Sequence, residues 1–154
     1  MSVCPKVQSF VHEPSSTFSY VVWDPHTSRA AVIDAVLDYG EHTGRTSTES
    51  ADAIVAFVHQ HGLRVDWVLE THAQADHLAA GGYLRDRLGA TTGIGEGIRN
   101  VQEHFRAVYH FERGFLPDGS QFDHLFADHE RFHVGRIEAR VIPTPGHTSD
   151  SVTY

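Results

Sequence analysis

The stretch Thr71-His72-Ala73-Gln74-Ala75-Asp76-His77 decides the fold of this chain. It directly follows the apolar run Val65-Asp66-Trp67-Val68-Leu69-Glu70, which is typical of a buried strand. The sheet fixes where such a strand ends, so the loop beyond it can aim side chains into a shared cleft. His72 and Gln74 are two positions apart and point to the same side if the stretch is extended. This crowding of imidazole and carboxylate groups predicts a metal site.

A second motif, Pro143-Thr144-Pro145-Gly146-His147-Thr148, lies far downstream after another predicted strand. A lone His in a Pro-Gly turn is also compatible with an ordinary bend that exposes its ring. The first cluster, however, needs a remote partner, and an imidazole suits that role. We therefore interpret His72, Asp76, His77 and His147 as candidate metal ligands. Asp76 has an alternative role as a first-turn residue of the helix that follows.

Composition indicates one soluble globular domain. The chain has 154 residues, 40% hydrophobic and 21% charged, which is ordinary for such a domain. Its net charge of −8 disfavours nucleic-acid binding. A single cysteine, no apolar leader and no membrane-length apolar run make the cytoplasm the default location and exclude a membrane partner. The glycine run at 92–97 has the wrong spacing for a nucleotide-binding fingerprint.

Hydrophobic periodicity predicts a mixed α/β chain with hairpins. The predicted strands cover 7–11, 18–23, 30–34, 64–69, 91–94, 132–134, 137–142 and 151–154. One helix carries Ala51, Ile54, Val55 and Val58 as its apolar stripe, with Ser47 or Thr48 as its cap and Gly62 at its end. A second helix runs from about 76 to 88, a third carries Ile98, Val101, Phe105 and Val108, and residues 39–50 are expected to form a loop. This order excludes a doubly wound parallel sheet.

The septet resembles the T-H-x-H-x-D-H motif of the metallo-β-lactamase fold, and Pro145-Gly146-His147-Thr148 resembles the next ligand motif of that fold. Residues 69–72, 122–128 and 144–154 are similar to the glyoxalase II-like branch, which includes the persulfide dioxygenases. The resemblance covers nearly the whole chain. It implies an α/β (α+β) αββα sandwich with the site at one edge, between two sheets. We expect 1–154 to be a single domain that holds only the N-terminal portion of this sandwich.

The persulfide dioxygenase branch implies a single ferrous iron held by two His and a later Asp. Carried over to this chain, the two ligands are His72 and His147, and the Asp would follow Tyr154. Such a face leaves positions open for dioxygen and a thiolate. The implied reaction oxidises glutathione persulfide, a small-molecule thiol substrate, to sulfite. Asp76 and His77 would then be catalytic supports that hold ring tautomers or water.

Gln74 departs from the family pattern because it stands where the motif has its second His. A neutral amide oxygen is a poor ligand for zinc or iron, so it would damage a two-zinc site, whereas the mono-iron site implied by the resemblance does not use this position. Gln74 therefore favours Fe(II) over the two-zinc alternative, and it equally fits a site that has lost its activity. That alternative is a glyoxalase II-type hydrolase of thioesters such as S-lactoylglutathione, in which Asp76 and His77 bind the second metal. A third hypothesis is an inactive or truncated binding domain. An uncovered apolar sheet face would favour a homodimer.

Overall fold

The computed structural model of the protein describes residues 4–73, 77–112 and 114–154. The elements in chain order are β1 (Lys6–His12), β2 (Thr17–Trp23), β3 (Arg29–Ile33), β4 (Val36–Gly40), β5 (Arg45–Ser47), α1 (Glu49–Gln60), β6 (Arg64–Leu69), β7 (Leu78–Ala79), α2 (Gly81–Leu88), β8 (Thr91–Gly95), α3 (Ile98–Tyr109), β9 (His124–Phe126), β10 (Arg131–Val134), β11 (Ile137–Arg140), β12 (Ile142–Pro143) and β13 (Val152–Thr153).

A mixed six-stranded sheet, in the order β1-β2-β3-β6-β8-β9, organises the described residues. The hairpins that join β1, β2 and β3 are antiparallel, whereas β3, β6, β8 and β9 run parallel to one another. The carboxyl ends of these four parallel strands therefore meet at one edge of the sheet. The loop that carries His72 leaves the sheet at this edge, directly after Leu69.

Helices α1 and α2 cover one face of the sheet. The predicted stripe of α1 is confirmed, because Ala51, Ile54, Val55 and Val58 are all buried in one core cluster. Val32 of β3 belongs to the same cluster, while its neighbour Ala31 belongs to a second cluster. This alternation follows from the two-residue period of a strand, and it gives the sheet two buried faces.

Small antiparallel strand pairs cover the opposite face. The hairpin of β10 and β11 and the pair of β12 and β13 contribute Phe132, Val134 and Val152 to the second cluster, which also contains Phe126 of β9. Asp24 anchors this layer, because its carboxylate accepts hydrogen bonds from Arg136 N, His26 N and the Thr27 hydroxyl, each at 2.8 Å. The described residues thus form a helix layer and two strand layers, and the fold class expected from the sequence is confirmed.

Two local predictions were wrong, and a third was confirmed only in part. The segment 39–50 is not a loop, because β4 and β5 pair as a hairpin there and α1 already begins at Glu49. The second helix begins at Gly81 rather than near 76, because Leu78–Ala79 pairs with β4 instead. Thr48 does stand at the N-cap of α1, but its hydroxyl bonds Asp52 rather than the helix backbone.

The third predicted helix is confirmed as α3, but its apolar stripe is only partly covered. Ile98 is buried, whereas the side chain of Val108 is 53% exposed. The predicted hairpin around Gly135 is also confirmed, and Gly135 adopts a φ of 60°, which glycine tolerates at tight turns. None of the helices in 4–73, 77–112 and 114–154 is long and apolar enough to cross a membrane.

Candidate metal centre

Two loops that lie 75 residues apart in sequence meet beside the sheet edge. One loop carries His72 after β6, and the other carries His147 before β13. A backbone hydrogen bond from Val152 N to Thr71 O, at 2.8 Å, ties the second loop to the first. The Asp150 carboxylate adds another tie, because Ala73 N donates to Asp150 Oδ2 at 3.1 Å.

This meeting brings the rings of His72 and His147 together. Their centroids lie 5.0 Å apart, and their planes are nearly perpendicular, at 86°. The His72 ring is partly buried, whereas His147 is exposed at the tip of its turn. The two imidazoles that the sequence assigned to one metal site are therefore neighbours.

A chain of hydrogen bonds determines which nitrogen of the neutral His72 ring carries the hydrogen. The Thr71 hydroxyl donates to Asp34 Oδ2 at 2.8 Å, so that its proton is committed to the carboxylate. The hydroxyl oxygen lies 2.9 Å from His72 Nδ1 and has only a lone pair left to offer. His72 Nδ1 must therefore carry the hydrogen, and His72 Nε2 is left with the lone pair.

His72 Nε2 is the atom on which a metal would be held. It is buried and has no hydrogen-bond partner among the residues that the structure describes. Buried polar atoms almost always have a hydrogen-bond partner. A buried nitrogen lone pair without one is therefore expected to bind another group, such as a metal ion. A histidine whose other nitrogen is fixed by a hydrogen bond to a hydroxyl or carboxylate is typical of metal sites. The geometry of His72 therefore fits metal binding.

Asp34 holds the loop that carries His72, because its carboxylate accepts hydrogen bonds from Thr71. Burial raises the pKa of Asp34, while the hydrogen bonds from Thr71 and the nearby rings of His72 and His77 act in the opposite direction. His72 and His77 are thus both close enough to Asp34 to interact with its charge. Burial also raises the pKa of Tyr154, together with the charges of Asp34 and Glu70. The acidic side chains of Asp34 and Glu70 therefore lie close to the candidate site.

The structure locates only one of the three other residues of the septet that the sequence singled out. Gln74 and Asp76 lie outside the described residues. His77 is described, and its Nδ1 lies 3.0 Å from the carbonyl oxygen of Leu78. A carbonyl only accepts, so His77 Nδ1 carries the hydrogen and His77 Nε2 keeps its lone pair. His77 lines a cleft of about 700 Å³ that is bounded by β4 and the β1–β2 turn.

Two imidazoles alone do not complete a metal site. Among the three described ranges, no group of three or more His, Cys, Asp or Glu side chains is placed to hold a metal ion. His72 and His147 are therefore the two predicted ligands that the structure brings together. The sequence analysis missed Asp34 as a supporting residue, although its position at the end of a predicted strand was a usable signal. It also missed Asp150, which lies beside Ala73.

Comparison with known proteins agrees with this geometry. The chain is 49% identical over 150 residues to the beta-lactamase hydrolase-like protein of Xylella fastidiosa (strain 9a5c), a match that covers 97% of this chain and 35% of that protein. It is 44% identical over 155 residues to Glyoxylase B2 of Dictyostelium discoideum, with 100% of this chain and 53% of that protein covered. It is 29% identical over 154 residues to the mitochondrial persulfide dioxygenase ETHE1 of Bos taurus, with 99% and 49% covered.

Solved structures share the fold. The crystal structure of ETHE1 from Myxococcus xanthus superposes with a TM-score of 0.69 at 26% identity, over 96% of this chain and 52% of that one. The chain thus spans between about a third and about half the length of these relatives. Residues 12–154 match the metallo-beta-lactamase superfamily. On this match, together with the paired His72 and His147 loops, the chain belongs to the metallo-β-lactamase superfamily.

Proposed function

We propose that the protein to which this chain belongs is an iron-dependent persulfide dioxygenase, which oxidises a small thiol persulfide such as glutathione persulfide to sulfite. One observation carries the proposal. The ring centroids of His72 and His147 lie 5.0 Å apart, and His72 Nε2 is buried without a hydrogen-bond partner among the described residues. The similarity to the persulfide dioxygenase ETHE1 of Bos taurus supports it. Because the chain spans 49% of that relative, the activity is proposed for the whole protein.

Iron(II) held by two His and one carboxylate would supply one-electron chemistry with dioxygen and open positions for two further ligands. The chain's own contribution is to present the ligands. Thr71 and Asp34 orient the His72 ring and keep its Nε2 unprotonated. His147 presents its ring from the opposite loop, on the solvent side. We propose no further role for these two rings.

Gln74 supports one metal rather than two. In the superfamily motif this position is a His that binds one of the two metals, and a neutral amide replaces it here. A two-metal site would therefore lose a strong ligand, whereas the proposed iron site does not use this position. Asp76 and His77 are then free to orient water and substrate beside the iron.

The cleft beside His77 is a suitable place for the substrate. Its volume of about 700 Å³ lies within the range of small-molecule sites. Its lining combines the apolar Leu37 and Leu78 with the polar side chains of His12, Tyr39 and His42. We propose that the body of the persulfide occupies this cleft, and that its terminal sulfur reaches the two metal-binding rings.

A second candidate function is zinc-dependent hydrolysis of a thioester such as S-lactoylglutathione. The observation that favours it is the higher identity, 49%, to a protein named beta-lactamase hydrolase-like. In this case Asp76 and His77 would bind a second metal, and a metal-bound hydroxide would be the nucleophile.

Metal content and oxygen consumption separate the candidates. The protein is expressed in medium that supplies both iron and zinc, and bound metals are measured by mass spectrometry. We expect about one iron per chain, oxygen uptake with glutathione persulfide and release of sulfite. Two zinc ions per chain with thioester hydrolysis would instead establish the hydrolase. Absence of bound metal and of both activities would leave only the binding-domain hypothesis.

The substitution Gln74→His sharpens this test. If the native site holds one iron, restoring the family His should increase the zinc bound per chain and reduce persulfide oxidation. Gln74→Asn is the matched control, since it also alters this side chain but keeps a neutral amide and adds no imidazole. A native protein that already holds two zinc ions, with no increase in Gln74→His, would contradict the proposal.

A further inference from the structure

Asp150 is a buried carboxylate whose presence the stability of the fold does not explain. Its residue is only 5% exposed, and its Oδ2 accepts one hydrogen bond, from Ala73 N at 3.1 Å. Its Oδ1 is buried and has no hydrogen-bond partner within 4–73, 77–112 and 114–154. Burying a charged group costs free energy unless its oxygens are well paired, and a single amide donor is weak compensation. A carboxylate that is buried with so few hydrogen bonds is expected to have a role other than stabilising the fold.

The position of Asp150 in the chain indicates such a role. Asp150 follows His147 by three residues, and its hydrogen-bond donor, Ala73, directly follows His72. The hydrogen bond therefore links the two loops next to the two rings. A backbone hydrogen bond from Val152 N to Thr71 O also links these loops, but it holds the strand ends and not the loop beyond His72.

The backbone around Asp150 is held closely in place. A Cβ atom added at Gly97 would lie 3.1 Å from Asp150 Cβ and 3.3 Å from its Cα, so the β8–α3 turn packs directly on this residue. On the other side, the hydroxyls of Thr148 and Ser151 lie 2.7 Å apart, and Thr148 N donates to Ser151 Oγ at 3.2 Å. The carboxylate therefore projects toward Ala73 from a fixed support.

We propose that Asp150 is a positioning residue that fixes the separation of the His72 and His147 rings by holding Ala73 N. This inference rests on the proposed metal binding by these two rings, and it is independent of which metal or reaction the protein uses. The active element is the acceptor oxygen of Asp150 rather than its charge. Asn keeps such an oxygen, whereas Ala does not, so the two substitutions have different consequences.

The first measurement needs no metal. In the metal-free protein, proton NMR is used to observe the nuclear Overhauser effect between the His72 and His147 rings, whose centroids are 5.0 Å apart. We expect the effect to be present in the native protein and in Asp150→Asn, and to be lost in Asp150→Ala. Persistence of the effect in a folded Asp150→Ala protein would overturn the proposal.

The second measurement is the affinity for Co²⁺, followed through its visible absorption. Loss of a supporting group of this kind weakens metal binding by about 10- to 100-fold, which is the expected effect of Asp150→Ala. Asp150→Asn should bind Co²⁺ nearly as well as the native protein. If Asp150→Asn weakens binding as much as Asp150→Ala, the charge rather than the acceptor matters, and the proposal is wrong.

A matched control separates positioning from general destabilisation. Val141 is 1% exposed and belongs to the second core cluster, so Val141→Ala should lower the melting temperature without changing the ring contact or the affinity for Co²⁺. A loss of Co²⁺ affinity in Val141→Ala equal to that in Asp150→Ala would also overturn the proposal. Native protein that shows the ring contact but binds no Co²⁺ would contradict the proposed function, while the NMR comparison would still decide the role of Asp150.

Discussion

The carboxylate of Asp34 lies 2.7 Å from the backbone nitrogen of Thr71 and 2.8 Å from its hydroxyl oxygen. These two hydrogen bonds join the carboxyl ends of the neighbouring parallel strands β3 and β6. Asp34 adopts a φ of 52°, a left-handed conformation that Asp tolerates better than most residues. The carboxylate thereby points along the sheet edge to the residue that precedes His72, and it controls the ring through the Thr71 hydroxyl.

Removal of the Thr71 hydroxyl should weaken metal binding. Thr71→Val keeps the shape of the side chain but breaks the contact between Asp34 and His72 Nδ1, so the ring loses its preferred tautomer. We expect the affinity for Co²⁺ to fall by about 10- to 100-fold. Thr71→Ser restores the hydroxyl and should restore most of the affinity. Equal affinities in Thr71→Val and Thr71→Ser would contradict this role.

Replacement of either facing ring should remove the bound metal. In His72→Ala and His147→Ala, one of the two imidazoles at 5.0 Å is lost, and the metal retained after purification should drop to near zero. His59→Ala is the control, since His59 is an exposed residue in the last turn of α1. Mass spectrometry of the purified proteins measures the outcome. Metal retained by His72→Ala at the native level would place the site elsewhere.

Asp24 should make the fold sensitive to acid. Its burial acts to raise the pKa of Asp24, but hydrogen bonds from Arg136 N, His26 N and Thr27 outweigh this effect and lower the pKa below its usual value. A carboxyl group with a lowered pKa in the folded state stabilises the protein above the pKa of the unfolded chain. This contribution is lost as the pH falls through the lowered value.

The substitution Asp24→Asn tests this dependence. The free energy of unfolding is measured with urea at several pH values between neutral and acid. The advantage of the native protein over Asp24→Asn should be largest near neutral pH and should shrink as the pH falls below the usual range of Asp. A difference that stays constant over this range would show that Asp24 acts without its charge.

Gly93 should not tolerate a larger side chain. A Cβ atom there would lie 2.6 Å from Phe126 Cε2 and 3.2 Å from Leu69 Cδ2, inside the second core. Gly93→Ala should therefore lower the free energy of unfolding by about 1–3 kcal/mol, the usual cost of overpacking. Thermal or urea unfolding measures the effect.

Gly82 provides the matched control for this substitution. It lies in the exposed first turn of α2, and no atom comes within 4 Å of a Cβ added there. Gly82→Ala should leave stability unchanged or raise it by about 0.5–1 kcal/mol, because Ala loses less backbone entropy in a helix. If the two variants are equally stable, the contact between Gly93 and Phe126 is not a tight one.

Elements with a strong period could be predicted from the sequence, and short paired strands could not. The apolar stripe of α1 repeats often enough to identify the helix and its buried face, and the aromatic and β-branched residues of β2 identify that strand. The strands β5 and β7 have only three and two residues and bury little. They exist because β4 lies between them and pairs with both, which is a property of the assembled sheet.

The sequence by itself determined the superfamily and the chemistry of the metal-binding groups, because the septet at 71–77 and the Pro-Gly-His turn place specific side chains at the ends of strands. Only the tertiary structure decided which residues support those groups. Asp34 lies 37 positions from Thr71 and Asp150 lies 77 positions from Ala73, and each meets its partner only after the strands have packed. Hydrogen bonds act over about 3 Å in space, so residues far apart in the chain acquire such roles only through the fold.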